Sequence, residues 1–129
     1  MPGTIRSLLR NERPRIRSDG SFVRDYVYVR DAARAYMDLA QAVDVERVAG
    51  EAFNFGLESP ITVRQLVDEI RRLMGREDVE PEIENRAVGE IRDQYLSARK
   101  AREVLGWTPR YELEPALRET IDWYREFLG

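Results

Sequence analysis

Short stretches with the two-residue period of a β-strand alternate with amphipathic, well-capped helices along this chain, and that alternation restricts it to the mixed α/β or α+β classes. The best-signed helix lies at residues 62–75. Thr62 is its N-cap, Gln65 completes a capping box, and Ile61 is placed to staple onto Leu66. Val63, Leu66, Val67, Ile70 and Met74 form one apolar stripe, and Gly75 closes the helix in the left-handed conformation.

The other elements follow from similar signals. Ile5, Leu8 and Leu9 predict a helix within Thr4 to Glu12, and Pro14 followed by Arg15, Ile16 and Arg17 predicts a short edge strand. Phe22 to Val29 reads as a strand running into a helix with Asp31 as N-cap and a stripe of Ala32, Tyr36, Leu39, Ala40 and Val43. Ala52 to Gly56, an apolar run bounded by glycines and too short for a helix, reads as a buried strand; Glu80 to Glu84 and Gln94 to Leu96 read as two more. Ser97 is expected to cap a helix that stops at Gly106, with Pro109 beyond it, and a last helix is expected from about Leu113 to Leu128. Trp107, Trp123 and Tyr124 are expected to pack these last two helices together. Such brief strands separated by helices would leave sheet edges exposed in a chain standing alone, which points to a missing partner.

At 129 residues, with no internal repeat or Gly/Ser/Pro linker, the chain reads as a single unit, 1–129. Zero cysteine and zero histidine remove thiolate nucleophiles, zinc–thiolate centres and the commonest general base. No apolar run approaches the ~20 residues of a membrane span, and no signal peptide is recognised, so a cytoplasmic chain without membrane partners is expected. The net charge of −3 with interspersed signs argues against a nucleic-acid partner. Glu80, Glu82 and Glu84 fall on one strand face and read as a solvated edge rather than a metal site.

Three stretches carry more specific information: Ser18-Asp19-Gly20-Ser21-Phe22-Val23-Arg24-Asp25-Tyr26-Val27-Tyr28-Val29, then Gly50-Glu51-Ala52-Phe53-Asn54-Phe55-Gly56, then Tyr95-Leu96-Ser97 through Leu105-Gly106-Trp107-Thr108-Pro109. In order and spacing they resemble the C-terminal, substrate-binding part of extended short-chain dehydrogenases/reductases, the nucleotide-sugar 4,6-dehydratase and epimerase family. The resemblance runs from Pro2-Gly3-Thr4 to Trp123-Tyr124. The combination of Glu90-Ile91 with Gln94-Tyr95-Leu96-Ser97 is most similar to the CDP-glucose 4,6-dehydratase branch.

The resemblance implies an α/β fragment holding the substrate lobe and last sheet elements, without the N-terminal Rossmann half. Intact members hold NAD on a glycine-rich turn. The glycines of this chain form no closely spaced triplet. Members also use a tyrosine four residues before a lysine, whereas Lys100, the only lysine, has Leu96 at that position. No catalytic or cofactor-binding residue is therefore expected here, and the chain alone is expected to be inactive and to hold no NAD.

For substrate binding, the resemblance implies Arg24 against the diphosphate, as forked charge-assisted hydrogen bonds suit, with Arg86 as a second clamp. It places Pro14 and Ile16 by the base, and Gln94 and Tyr95 beside the sugar. Each has a plainer reading: a salt bridge from Arg24 to Asp25 or Asp31, and core or strand packing for Pro14, Ile16 and Tyr95. In the intact lyase, NAD takes a hydride from sugar C4, water leaves across C5 and C6, and the hydride returns to C6. This chain would bind the nucleotide sugar while the missing half carries the redox chemistry. The alternative is a stand-alone, non-catalytic binding or assembly module, pairing with a separate Rossmann subunit or with itself.

Overall fold

The computed structural model describes residues 1–44 and 46–128. These form two compact units: the first from Met1–Arg24, Ile61–Gln94 and the chain from Glu114 on, the second from Asp25–Pro60 and Tyr95–Leu113. The chain passes between them without any linker composition, because each unit is assembled from separate segments.

The first unit contains helix α1 (Pro2–Leu9), strands β1 (Arg15–Ile16) and β2 (Val23–Arg24), strand β3 (Ile61–Thr62) leading into α3 (Val63–Met74), then β4 (Glu82–Ile83), β5 (Asp93–Gln94) and nearly all of α5 (Leu113–Leu128). The expected capping box on α3 is present: the Gln65 N–H donates to Thr62 Oγ1 at 3.1 Å, and Gln65 Oε1 accepts the Thr62 N–H at 2.8 Å. Gly75 ends the helix at φ 65°. The apolar stripes of the three helices supply the core: Ile5 and Leu8 from α1, Leu66, Val67 and Ile70 from α3, Leu117 and Ile121 from α5. Each such side chain contributes about 1.5–3 kcal/mol by leaving water.

Sheet pairing in this unit is short. β1 lies parallel to β4, with Ile16 opposite Ile83. β2 is central in a three-stranded sheet, antiparallel to β3 and parallel to β5, with Arg24 opposite Gln94. The expected strand over Phe22 to Val29 shrinks to two residues, because the chain leaves the sheet at Asp25 for the other unit. The Glu80–Glu84 carboxylates are engaged by arginines: Glu80 by Arg64 and by the buried Arg71, Glu82 and Glu84 by Arg15. No cluster among the described residues could hold a metal ion.

The second unit contains α2 (Val29–Gln41) and α4 (Arg99–Leu105). Its core is Trp107 with Ala35, Ala98 and Ala101, and Phe53, Phe55 and Leu105 pack against it. Residues 52–56 form no strand. Their aromatics are taken up by that cluster instead, Phe55 meeting Trp107 edge-on at 5.0 Å. Trp123 differs from expectation as well: it lies 53% exposed on α5, stacked on Phe127.

Helix α2 begins at Val29 with Tyr28 as N-cap, so Asp31 is an interior first-turn residue. Its buried carboxylate accepts the backbone N–H groups of Arg110 and Tyr111 at 3.0–3.1 Å and pairs with Arg34 at 3.0 Å. It therefore satisfies a distant loop rather than its own helix. The residues α2 buries are Asp31 and Ala35, while Val29, Tyr36 and Met37 stay exposed. At α4, Ala98 is the N-cap, and the Ala98 and Arg99 N–H groups are accepted by Glu58 and by Ser97 Oγ respectively. The Arg102 guanidinium, the Ala98 N–H and the Ser97 hydroxyl hold the Glu58 carboxyl below the usual carboxylate range.

Asp25 secures the 56–59 loop by accepting the N–H groups of Glu58 at 3.0 Å and Ser59 at 3.3 Å. A Cβ on Gly56 would stand 2.6 Å from Asp25 Oδ2 and 3.4 Å from the Leu96 carbonyl. Gly56→Ala is accordingly expected to destabilise the chain by about 1–3 kcal/mol, the cost of overpacking a filled site. Urea unfolding followed by circular dichroism measures it, and an unchanged midpoint would show that the Asp25 loop yields freely.

Candidate functional site

Where β2 pairs with β5, arginines from two segments of the first unit, Arg17 and Arg24, flank one carboxylate, Glu90. Arg24, on central β2, has its guanidinium immobilised by the backbone: Nη1 donates to the carbonyls of Val23 at 2.7 Å and Arg92 at 2.9 Å. Its face lies 5.8 Å from the centre of the Phe22 ring. Its Nη2 is directed to Glu90 Oε2 at 3.9 Å. The other oxygen of Glu90 accepts a hydrogen bond from Arg17 at 2.8 Å. Arg24 thus forms an ion pair, as its plainer reading holds, but with Glu90, 66 positions away in the sequence. Asp25 and Asp31 serve the loops of the other unit.

Arg86 reaches the same neighbourhood through its backbone. Its N–H and that of Ala87 both donate to the Arg17 carbonyl, at 2.7 and 3.1 Å, which seats the 84–92 loop on the end of β1. Gly89, at φ 74°, turns that loop so that Glu90 follows. The Arg86 side chain is exposed. Gln94 sits across from Arg24 in the parallel register and is also exposed.

Pro14 and Ile16 have buried side chains. Their carbonyls accept the N–H groups of Glu82 and Glu84 at 2.8 Å, so both act here as core and ladder residues. The arginines that alternate with them, Arg13, Arg15 and Arg17, are exposed. Arg13 and Arg15 line a cavity of about 640 Å³ together with Met1, Thr4, Ser7 and Glu82. Tyr95, 60% exposed, begins the segment that belongs to the second unit, and is not grouped with the others.

Two contributors, Arg17 and Glu90, are not singled out as binding residues by the sequence. The one available signal was the alternation Arg15, Ile16, Arg17, which sends both arginines to the face opposite a buried isoleucine. Neighbouring polar groups orient the turn before β2: Asp19 accepts the Ser21 hydroxyl and N–H at 2.7 and 2.8 Å, which lower its pKa. Arg92 donates to Ser21 Oγ at 3.1 Å. The arrangement can hold and orient an anion.

An outward-facing arginine set on a short mixed sheet is suited to holding an anion. Residues 1–56 match the NAD dependent epimerase/dehydratase family. The chain is homologous to these enzymes, of the extended short-chain dehydrogenase/reductase type, and has the fold of part of them. It is 33% identical to the UDP-glucose 4-epimerase of Mycolicibacterium smegmatis over 92% of this chain and 36% of that protein. The structure of UDP-glucose 4-epimerase from Thermotoga maritima with UDP-glucose is 36% identical and superposes with a TM-score of 0.87, covering 98% of this chain and 39% of that one. The dTDP-glucose 4,6-dehydratase of Bacillus anthracis in complex with NAD is 27% identical with a TM-score of 0.84, over 97% and 38% of the two chains. This chain therefore spans little more than a third of the length of the relatives it matches.

Proposed function

We propose that the chain is the nucleotide-sugar-binding, C-terminal part of an NAD-dependent nucleotide-sugar 4,6-dehydratase, of the CDP-glucose type. The observation that carries this reading is the placement of Arg24: backbone carbonyls hold one nitrogen of its guanidinium, and the other faces the exposed edge shared by Arg17, Glu90 and Gln94. A diphosphate approaching that edge meets a cation already oriented, so little side-chain entropy is lost on binding. Arg86, carried on the loop seated by Arg17, is within the same unit as the second clamp. The CDP-glucose assignment rests on the Glu90-Ile91 and Gln94-to-Ser97 combination.

In the whole enzyme NAD supplies reversible hydride transfer. The residues described here do not fit that group. Gly75 and Gly106 close helices instead of opening them, and Lys100 is committed to Glu51 and the Phe53 ring. The chain's own share is to bind and orient the nucleotide sugar, while a Rossmann half holds NAD. The exposed apolar residues of α2 favour such a companion, whether part of a longer chain or a separate subunit.

Titration calorimetry with CDP-glucose, UDP-glucose, dTDP-glucose and GDP-mannose tests this reading. Arg24→Ala is expected to weaken the preferred ligand by about 1.5–3 kcal/mol, roughly ten- to hundredfold in Kd. Equal affinity in a folded variant would assign Arg24 to its Glu90 ion pair alone.

A further inference from the structure

We propose that the outer face of α1 is a docking surface for an acidic helical segment of another protein, which it holds through Arg6 and Arg10. Residues 1–17 contain arginines at positions 6, 10, 13, 15 and 17 against one acid, Glu12, so this stretch has a side-chain charge of +4 in a chain whose net charge is −3. Part of that charge is cancelled within the fold, since Arg17 is matched to Glu90 and Arg15 lies near Glu82 and Glu84. Arg6 and Arg10 are exposed and have no carboxylate or carbonyl partner among the described residues. Arg13 donates to the Glu80 and Pro81 carbonyls at 2.9 and 3.3 Å, neutral acceptors that leave its charge in place.

The geometry suits carboxylates carried on a helix. Arg6 lies in α1 and Arg10 is its C-cap, four residues and about 6 Å of rise apart. Glutamates at the same spacing on a partner helix meet the two guanidiniums together, and each guanidinium offers a carboxylate two parallel N–H donors. The other side of α1 is committed to the core through Ile5 and Leu8, so the helix has no apolar face to lay into a bilayer. Residues 1–17 include no aromatic side chain on which a nucleic-acid base could stack. The helix dipole favours cations at this end of α1, but the excess continues past the helix into Arg13, which the dipole does not explain.

The test is fluorescence anisotropy of three labelled probes titrated with the 129-residue chain at one low ionic strength: an alanine-based helical peptide with glutamates four residues apart, the same peptide with glutamines, and single-stranded oligothymidine. The glutamate peptide is expected to bind, and the glutamine peptide at least about tenfold more weakly. The Arg6→Glu, Arg10→Glu double variant is expected to weaken the glutamate peptide at least about tenfold. The Arg47→Glu, Arg110→Glu double variant changes the net charge equally on exposed arginines of the second unit, and is expected to change binding less than about twofold. Circular dichroism confirms that both variants are folded. The proposal is overturned if the glutamate peptide does not bind, if the two double variants weaken it alike, or if oligothymidine binds as tightly as the peptide. A lower urea midpoint in Arg6→Glu, Arg10→Glu with unchanged peptide binding would assign the two arginines to the helix dipole instead.

Discussion

Trp107→Ala is expected to destabilise the chain by about 3–5 kcal/mol, the range for emptying a large aromatic site in a packed interior. Trp107 is 1% exposed and is the largest fully buried side chain. It ties α4, through Ala98, Ala101 and Leu105, to Ala35 of α2 and to Phe55 of the unpaired 52–56 segment. Arg34 lies over its ring at 5.5 Å and also bonds the Thr108 carbonyl, so the indole contributes to the order of the loop that Asp31 secures. Trp107→Phe separates size from chemistry. The indole Nε1 is buried without an acceptor among the described residues, and phenylalanine removes that donor while keeping most of the ring volume. Its expected cost is under about 2 kcal/mol. Urea unfolding monitored by far-ultraviolet circular dichroism distinguishes the two variants. An alanine variant with the wild-type midpoint would mean that the second unit does not depend on this cluster.

Self-association of the isolated chain is the other large expected effect. Helix α2 presents Val29, Tyr36, Met37 and, just past its end, Val43 to solvent at exposures of 69, 77, 62 and 52%. Val29, Tyr36 and Met37 share one helical face, and Ala33 and Ala40 continue it. Contiguous apolar surface of this kind is rare on monomers. At roughly 25 cal/mol per Å² of apolar area covered, burying these side chains against a second copy gives a strong concentration-dependent drive to associate. Light scattering across a hundredfold concentration range, on the order of micromolar to 0.1 mM, is expected to show the mean mass at least about doubling. The Tyr36→Lys, Met37→Lys double variant is expected to remain monomeric, as is the wild-type chain once a Rossmann partner covers this face. A monodisperse wild-type monomer over that range would show that the exposed stripe is tolerated.

The elements legible in the sequence are those whose causes are local. The Thr62–Gln65 capping box, the left-handed stops at Gly75 and Gly106, and the long helix from Leu113 are settled by backbone groups within a few positions of one another, and the structure reproduces each. Apolar periodicity likewise identified Ile5, Leu8, Leu66, Ile70, Leu117 and Ile121 as core. β1 and β4 lie within the expected strands and are shorter than expected, whereas β5 begins one residue before the expected Gln94 to Leu96 and shares only Gln94 with it.

Tertiary structure decided whatever depended on partners far along the chain. An aspartate near a helix start looks like a cap in sequence, yet the buried Asp31 accepts the N–H groups of Arg110 and Tyr111, about 80 positions away. Residues 52–56 read as a strand from an apolar run too short for a helix, but Phe53 and Phe55 pack against the Trp107 cluster and the segment joins no sheet among the described residues. The outcome for Pro14 and Ile16 followed from β1 lying against β4, which buried these two and turned Arg15 and Arg17 outward. Glu90 met Arg17 and Arg24 only once β2 and β5 were in register. A sequence specifies short-range geometry directly, because neighbouring backbone groups have few alternatives. Which distant charges and side chains meet depends on the register and packing of whole elements, and those are set only when the core closes.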